Sequence, residues 1–118
     1  MNNYSFTKSY IRNPNKKIIL VVDDDKSIRF ILRKLFEKNG YEVETTGNYI
    51  GLLRSIKQIS PDLLITDIRL PDGNVLNNIP EIKKIYPSLP IIVISAFSSL
   101  ETAVNSVKFG AFEYLSKP

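Results

Sequence analysis

The sequence predicts an α/β fold, a doubly wound five-stranded parallel sheet with helices on both faces. Three observations carry that prediction. Short runs rich in Ile, Leu and Val alternate with segments whose apolar residues recur at helical spacing. Several of the runs are almost unbroken, as in strands covered on both faces of a parallel sheet. Gly, Pro, Asn and Ser mark the boundaries between them. The order βαβαβαβαβ then argues right-handed crossovers and a parallel sheet.

The first strand is expected over Lys17 to Val22. A helix follows, with Ile28, Ile31, Leu32, Leu35 and Phe36 at helical spacing. Asn39-Gly40 ends it, because Gly suits the left-handed position after a helix. The second strand, Glu42 to Thr46, alternates polar and apolar residues and reads as a half-exposed edge. Asn48 is a candidate N-cap for a second helix that turns Leu52, Leu53, Ile56 and Ile59 inward and breaks at Ser60-Pro61. The third strand is Leu63 to Asp67, followed by a turn at Pro71-Asp72-Gly73. The third helix carries Leu76, Ile79, Ile82 and Ile85, and Pro87 and Pro90 close its loop. Pro80 would cost about 3 kcal/mol inside a helix, so this helix is expected to start late or bend. The fourth strand is Ile91 to Ser95. Ser98-Ser-Leu-Glu101 fits a capping box for a fourth helix in which Ala103, Val104 and Val107 follow, ended by Gly110. The fifth strand is Ala111 to Ser116. No further helix follows in the sequence, which leaves a sheet face near the first and fifth strands bare. The expectation is a truncated domain whose bare face is covered by the N-terminal tail or by a second copy; a monomer with a mobile tail would count against that cover.

At 118 residues the chain suits one domain. It has no Cys and no His, which excludes disulfides, thiolate metal sites, a Ser-His-Asp triad and a histidine base. No apolar run approaches the roughly 20 residues of a membrane helix, and no signal peptide is apparent, so a cytoplasmic protein is expected. The net charge of +4 sits in the first 17 residues, where Lys8, Arg12, Lys16 and Lys17 meet no acid. From Ile18 onward acids and bases balance, which argues against nucleic-acid binding by the folded part. Residues 1–16 are expected to be a basic tail and 17–118 the folded domain.

Four strands end in or beside residues that carry chemistry: Asp23 and Asp24, Asp67, Ser95, and Lys117. In an open parallel sheet, sites form at the carboxyl ends of strands. Carboxylates gathered there would repel one another by roughly 3 to 4 kcal/mol at an effective dielectric near 20, and a hard divalent cation offsets that. Capping of the first helix explains one aspartate of the three, and Asp25 is assigned to it. Asp67 can be read as a turn residue, or as a nucleophile that forms an acyl phosphate. Lys117 can pair with phosphoryl oxygens and Ser95 can donate a hydrogen bond to them.

The segments Val21-Val-Asp23-Asp24-Asp25, Thr66-Asp67-Ile-Arg-Leu-Pro71, Ile91-Ile-Val-Ile-Ser95-Ala96 and Tyr114-Leu-Ser-Lys117-Pro118 together resemble two-component response-regulator receiver domains. The match runs from Lys17 to the end. Asp67-Ile-Arg, Thr102-Ala-Val and Gly110-Ala-Phe-Glu-Tyr most resemble NtrC-type nitrogen regulators, which activate transcription. The resemblance implies a flavodoxin-like fold with strand order 2-1-3-4-5. It implies phosphoryl transfer from a histidine kinase's phosphohistidine to Asp67, with Mg²⁺ at Asp67 held by Asp24 directly, by Asp23 largely through water and by the Arg69 carbonyl. It implies Lys117 and Ser95 as phosphoryl partners, Ser95 and Tyr114 as switch residues, and Arg69 and Phe97 as residues that tune dephosphorylation. Phe97 is bulky and is expected to slow water access, which an unchanged phosphoryl lifetime in Phe97→Ala would refute. The Lys117–Pro118 bond would be cis, a form that costs only about 0.5 to 1 kcal/mol before proline. The implied partners are a histidine kinase and a second copy of the chain, with DNA reached only through an output domain outside this chain and no membrane contact. The domain would act as a switch that catalyses its own phosphorylation and dephosphorylation, not as a turnover enzyme.

Val75 departs from the family, which commonly has a turn glycine there, as do Pro80 and the lack of a final helix. Three alternatives stand beside this reading. A phosphorylation-independent interaction module would not need the acidic pair, Asp67 and Lys117. A nucleotide- or flavin-binding protein would need a Gly-rich loop after the first strand. A dehalogenase-like phosphatase would carry an Asp where this chain has Arg69.

Overall fold

Ile18–Val22 forms β1, and every side chain in it is buried, as its unbroken apolar run requires. The computed structural model describes residues 14–96 and 99–117. Helix α1 (Lys26–Lys38) is capped by Asp25, whose carboxylate accepts from the Ser27 N–H at 2.8 Å, and it ends before Gly40 at φ +92°. Edge strand β2 (Glu42–Thr46) leads to α2 (Tyr49–Ile59), where the Asn48 side chain accepts from the Gly51 N–H at 2.7 Å. Strand β3 (Leu63–Thr66) is followed by a two-stranded hairpin, β4 (Arg69–Leu70) and β5 (Gly73–Asn74), around the expected Pro71-Asp72-Gly73 turn. One 3₁₀ turn (Leu76–Asn78) precedes α3 (Ile79–Ile85). Pro80 falls in the first turn of α3, where its missing N–H costs nothing, so the helix starts late. Then come β6 (Ile91–Ser95), α4 (Leu100–Phe109), ended by Gly110 at φ +122°, and β7 (Glu113–Ser116).

The main sheet is wholly parallel, in the order β2-β1-β3-β6-β7. Counting main-sheet strands alone, this is the expected 2-1-3-4-5. Alternation along β1 divides the core. Leu20 and Val22 join Leu52, Ile56, Leu64, Ile79, Ile82 and Val93 under α2 and α3, while Ile19 and Val21 join Val43 and Ile65 beneath Leu32 and Phe36 of α1. Val75, at 1% exposure, fills the larger core where a glycine would leave a hole.

Several expectations need correction. The cap of α4 is Ser99, which accepts from the Thr102 N–H at 3.0 Å and shares a 2.7 Å hydroxyl contact with Thr102. The proposed Ser98–Glu101 box is therefore one residue too early, and Ser98 itself lies outside the described residues. Leu53, expected inward, is exposed, as are Ile31, Leu35, Ile85, Val104 and Val107 at helical spacing on the other helices. The bare sheet face does not reach β1, whose Ile19 and Val21 are 3% and 0% exposed. It lies over β6 and β7, where Ile28, Ile31, Leu32, Ile94 and Leu115 line a groove of about 240 Å³. Residues 1–13 of the expected tail lie outside the described residues.

Asp72 does more than turn the chain. Its carboxylate accepts from the backbone N–H of Tyr49 at 2.6 Å and of Ile50 at 3.0 Å, clasping the hairpin to the start of α2. Those two N–H groups, Tyr49 first, hold its carboxyl below the usual aspartate range. A depressed folded-state pKa stabilises above the unfolded value and loses its effect as pH falls through the folded one. The difference in melting temperature between wild type and Asp72→Ala should therefore be constant above about pH 5 and shrink below about pH 4. A pH-independent difference would show that the charge plays no part.

Candidate functional site

The register of the sheet sets the site. Val22 pairs with Thr66, so Asp23 and Asp67 leave adjacent strands side by side. The Asp23 N–H donates to Thr46 O at 3.1 Å and the Asp67 N–H to Val22 O at 2.9 Å, extending the ladder to the two aspartates. Ser95 pairs with Ser116, and the Lys117 N–H donates to Ser95 O at 2.9 Å. Lys117 thus leaves β7 at the same end of the sheet and reaches across β6.

Its ammonium meets two carboxylates. Lys117 Nζ lies 2.9 Å from Asp67 Oδ2, as a hydrogen bond, and 2.7 Å from Asp23 Oδ2. The second contact is ionic without hydrogen-bond alignment, and among the described residues buried Asp23 Oδ2 has no hydrogen-bond partner. The other oxygens are held by backbone: the Asp25 N–H donates to Asp23 Oδ1 at 2.9 Å, and the Ile68 N–H to Asp67 Oδ1 at 2.7 Å. Burial disfavours the charged form of Lys117, but Asp23 and Asp67 outweigh it and raise the pKa above the usual lysine value.

Asp24 completes the cluster. One carboxylate oxygen from each of Asp23, Asp24 and Asp67 lies within 4.8 Å of the others. At that spacing each pair repels by roughly 3 kcal/mol at an effective dielectric near 20, and one ammonium cannot neutralise three charges. The donor set fits a small hard cation: all ligands are carboxylate oxygens, and a buried one lacks a hydrogen bond.

The structure brings Asp23, Asp24, Asp67 and Lys117 together. Ser95 is fully buried where β6 ends, at the same end of the sheet. Arg69 is exposed at the start of β4, two residues beyond Asp67. Tyr114, in register with Val93, packs half-buried against the larger core. Phe97 and the Lys117–Pro118 bond lie outside the described residues.

Four contacts at the site were not legible in the sequence. Arg29 Nη1 donates to Asp23 O at 2.7 Å, the Thr66 hydroxyl donates to Asp67 O at 2.8 Å, and backbone N–H groups orient both buried aspartates. Only Arg29 had an available signal, a cation one turn into the helix that follows the acidic run.

Comparison with known proteins came to the same place. The family model described as "Response regulator receiver domain" matches residues 19–118. The DNA-binding transcriptional regulator NtrC of Azospirillum brasilense is 52% identical over 100 residues, which cover 85% of this chain and 21% of that protein. The chain thus spans about a fifth of the length of the curated relatives it matches. The solution structure of a beryllofluoride-activated NtrC4 receiver domain dimer superposes with a TM-score of 0.81 at 37% identity, covering 86% of this chain and 84% of that one. A response regulator from Burkholderia pseudomallei, crystallised with a phosphorylated aspartic acid, a calcium ion and citrate, gives 0.80 at 30% identity, covering 87% of this chain and 61% of that one. Among the described residues, no helix is long and apolar enough to cross a membrane.

Proposed function

The chain belongs to the response regulator receiver domain family of two-component signalling, with NtrC-type regulators among its relatives, and from that premise we propose that Asp67 is its phosphoacceptor in a Mg²⁺-dependent reaction. The observation that carries this reading is the pairing of Asp67 Oδ2 with Lys117 Nζ at 2.9 Å inside a cluster of three carboxylates. A carboxylate oxygen of Asp67 attacks phosphorus, the donor's P–N bond breaks, and the imidazole of a kinase phosphohistidine departs. Asp23, Asp24 and Asp67, with the Arg69 carbonyl, would hold Mg²⁺, which would neutralise charge at the phosphoryl oxygens. Lys117 moves from two carboxylates to the new phosphoryl group, which keeps a cation against the acceptor before and after transfer. The similar Burkholderia pseudomallei protein was crystallised with a phosphorylated aspartic acid and a calcium ion, which supports the same chemistry here.

Ser95 follows the phosphoryl group as hydrogen-bond donor, and Tyr114 shifts with it. Arg69 and Phe97 set the rate at which water removes the phosphoryl group. Phosphorylation biases two conformations that differ in these contacts. Residues 17–118 form the receiver and residues 1–16 a basic leader. The switch operates in the cytoplasm, a histidine kinase sets it, a second copy of the chain is its partner, and DNA is reached only through a part of the protein outside this chain.

Incubation with a small acyl phosphate and Mg²⁺ tests the reading by intact mass. One added phosphoryl group is expected, and none when a chelator removes the metal. No addition under either condition favours the phosphorylation-independent interaction module.

A further inference from the structure

Asp23 is held at every polar atom by a different part of the chain. Its N–H donates to Thr46 O, its Oδ1 accepts from the Asp25 N–H, its Oδ2 meets Lys117, and its carbonyl oxygen accepts from Arg29 Nη1 at 2.7 Å. The last contact is special in what it constrains. The carbonyl of Asp23 belongs to the peptide plane that also contains the Cα atoms of Asp23 and Asp24. A charged donor fixed on that oxygen therefore sets the direction in which both carboxylates leave the backbone. The bond is charge-assisted, and its donor is a guanidinium that keeps its charge at any working pH.

The chain makes room for this guanidinium. A Cβ built on Gly47 would lie 3.0 Å from Arg29 Nη1 and 3.6 Å from its Cζ, but 3.7 Å from Asp23 O, which is ordinary contact. Gly47 has no need of a left-handed backbone. Its missing side chain leaves the space in which the guanidinium sits against the Asp23 carbonyl.

We propose that Arg29 is a positioning residue for the cation site. It locks the Asp23–Asp24 peptide so that the two carboxylates converge, and Gly47 is the clearance that lets it do so. The inference rests on the Mg²⁺ site proposed above and concerns how that site is shaped. It makes a prediction of sign. Were Arg29 merely a nearby positive charge, its removal would strengthen binding of a divalent cation. As a positioning residue, its removal weakens it.

The test is calorimetric titration of Mg²⁺ into the metal-free chain, with no phosphodonor present. Arg29→Met is expected to raise the dissociation constant by about tenfold, within the range typical of residues that orient metal ligands. Gly47→Ala, which displaces the guanidinium without touching a carboxylate, should raise it by about threefold. The two effects should not add, because both act through one contact, so Gly47→Ala should change little in the Arg29→Met background. Arg33→Met, which removes the same charge one turn further along α1, should stay within about twofold of wild type. Tighter binding in Arg29→Met, or full additivity of the two substitutions, overturns the proposal and leaves the Mg²⁺ site standing. A wild-type chain that binds no Mg²⁺ overturns the site itself and this proposal with it.

Discussion

Replacing Asp67 with asparagine is expected to abolish phosphoryl uptake from an acyl phosphate while the domain stays folded. The nucleophile is lost, because an amide oxygen lacks the charge that attacks phosphorus. The fold survives for structural reasons. The Ile68 N–H at 2.7 Å can donate to an amide oxygen, and residue 67 lies beyond β3, outside the apolar core. Lys117 keeps Asp23 as its counter-ion at 2.7 Å. Intact mass and far-UV circular dichroism together check this result. Wild-type levels of phosphoryl addition in the variant would remove Asp67 from its assigned role.

Lys117→Met should show the largest change in stability. In the metal-free protein it leaves Asp23, 0% exposed, and Asp67, 8% exposed, facing each other without a cation. Removing one partner of a buried ion pair costs about 3 kcal/mol or more, which corresponds to a fall in melting temperature of roughly 10 to 20 °C for a domain of this size. Mg²⁺ should recover part of the loss, since it binds only the folded carboxylates, and it should recover more in the variant than in wild type. The raised pKa fixes the pH dependence of this contribution. A lysine with a raised folded-state pKa stabilises fully below its unfolded value and loses the effect only as pH rises through the folded one. The deficit of the variant should therefore be constant through the neutral range and narrow only in strong alkali. A variant as stable as wild type without metal would mean that the carboxylates do not need the ammonium.

The residues at the heart of this account were readable because strand ends are readable. Unbroken apolar runs before Asp23, Asp67 and Ser95 placed those residues at one end of the sheet, and the parallel order brought them together. Lys117 followed by the same logic from β7. What escaped the sequence depends on contacts between distant segments or on elements too short to show a period. The β4–β5 hairpin has two residues per strand, below any detectable alternation. The clasp from Asp72 to α2 spans 22 and 23 residues, so the sequence showed only its turn-forming half. Arg29 reads as one more helix cation until its reach to the Asp23 carbonyl is seen. Helical spacing marked Leu53 as inward, but spacing gives the direction of a stripe and not the width of the surface that covers it, and Leu53 is exposed. Ser98 and Ser99 are chemically equivalent caps, so the sequence could not choose between them, and Ser99 is the one that caps α4.

The most direct test of the central claim is to locate the phosphoryl group. Wild-type protein treated with an acyl phosphate and Mg²⁺ can be reduced with borohydride, which converts an aspartyl phosphate to homoserine, and then mapped by peptide mass spectrometry. Homoserine is expected at position 67 and nowhere else. Modification at Asp23 or Asp24 instead, or at no aspartate, would contradict it.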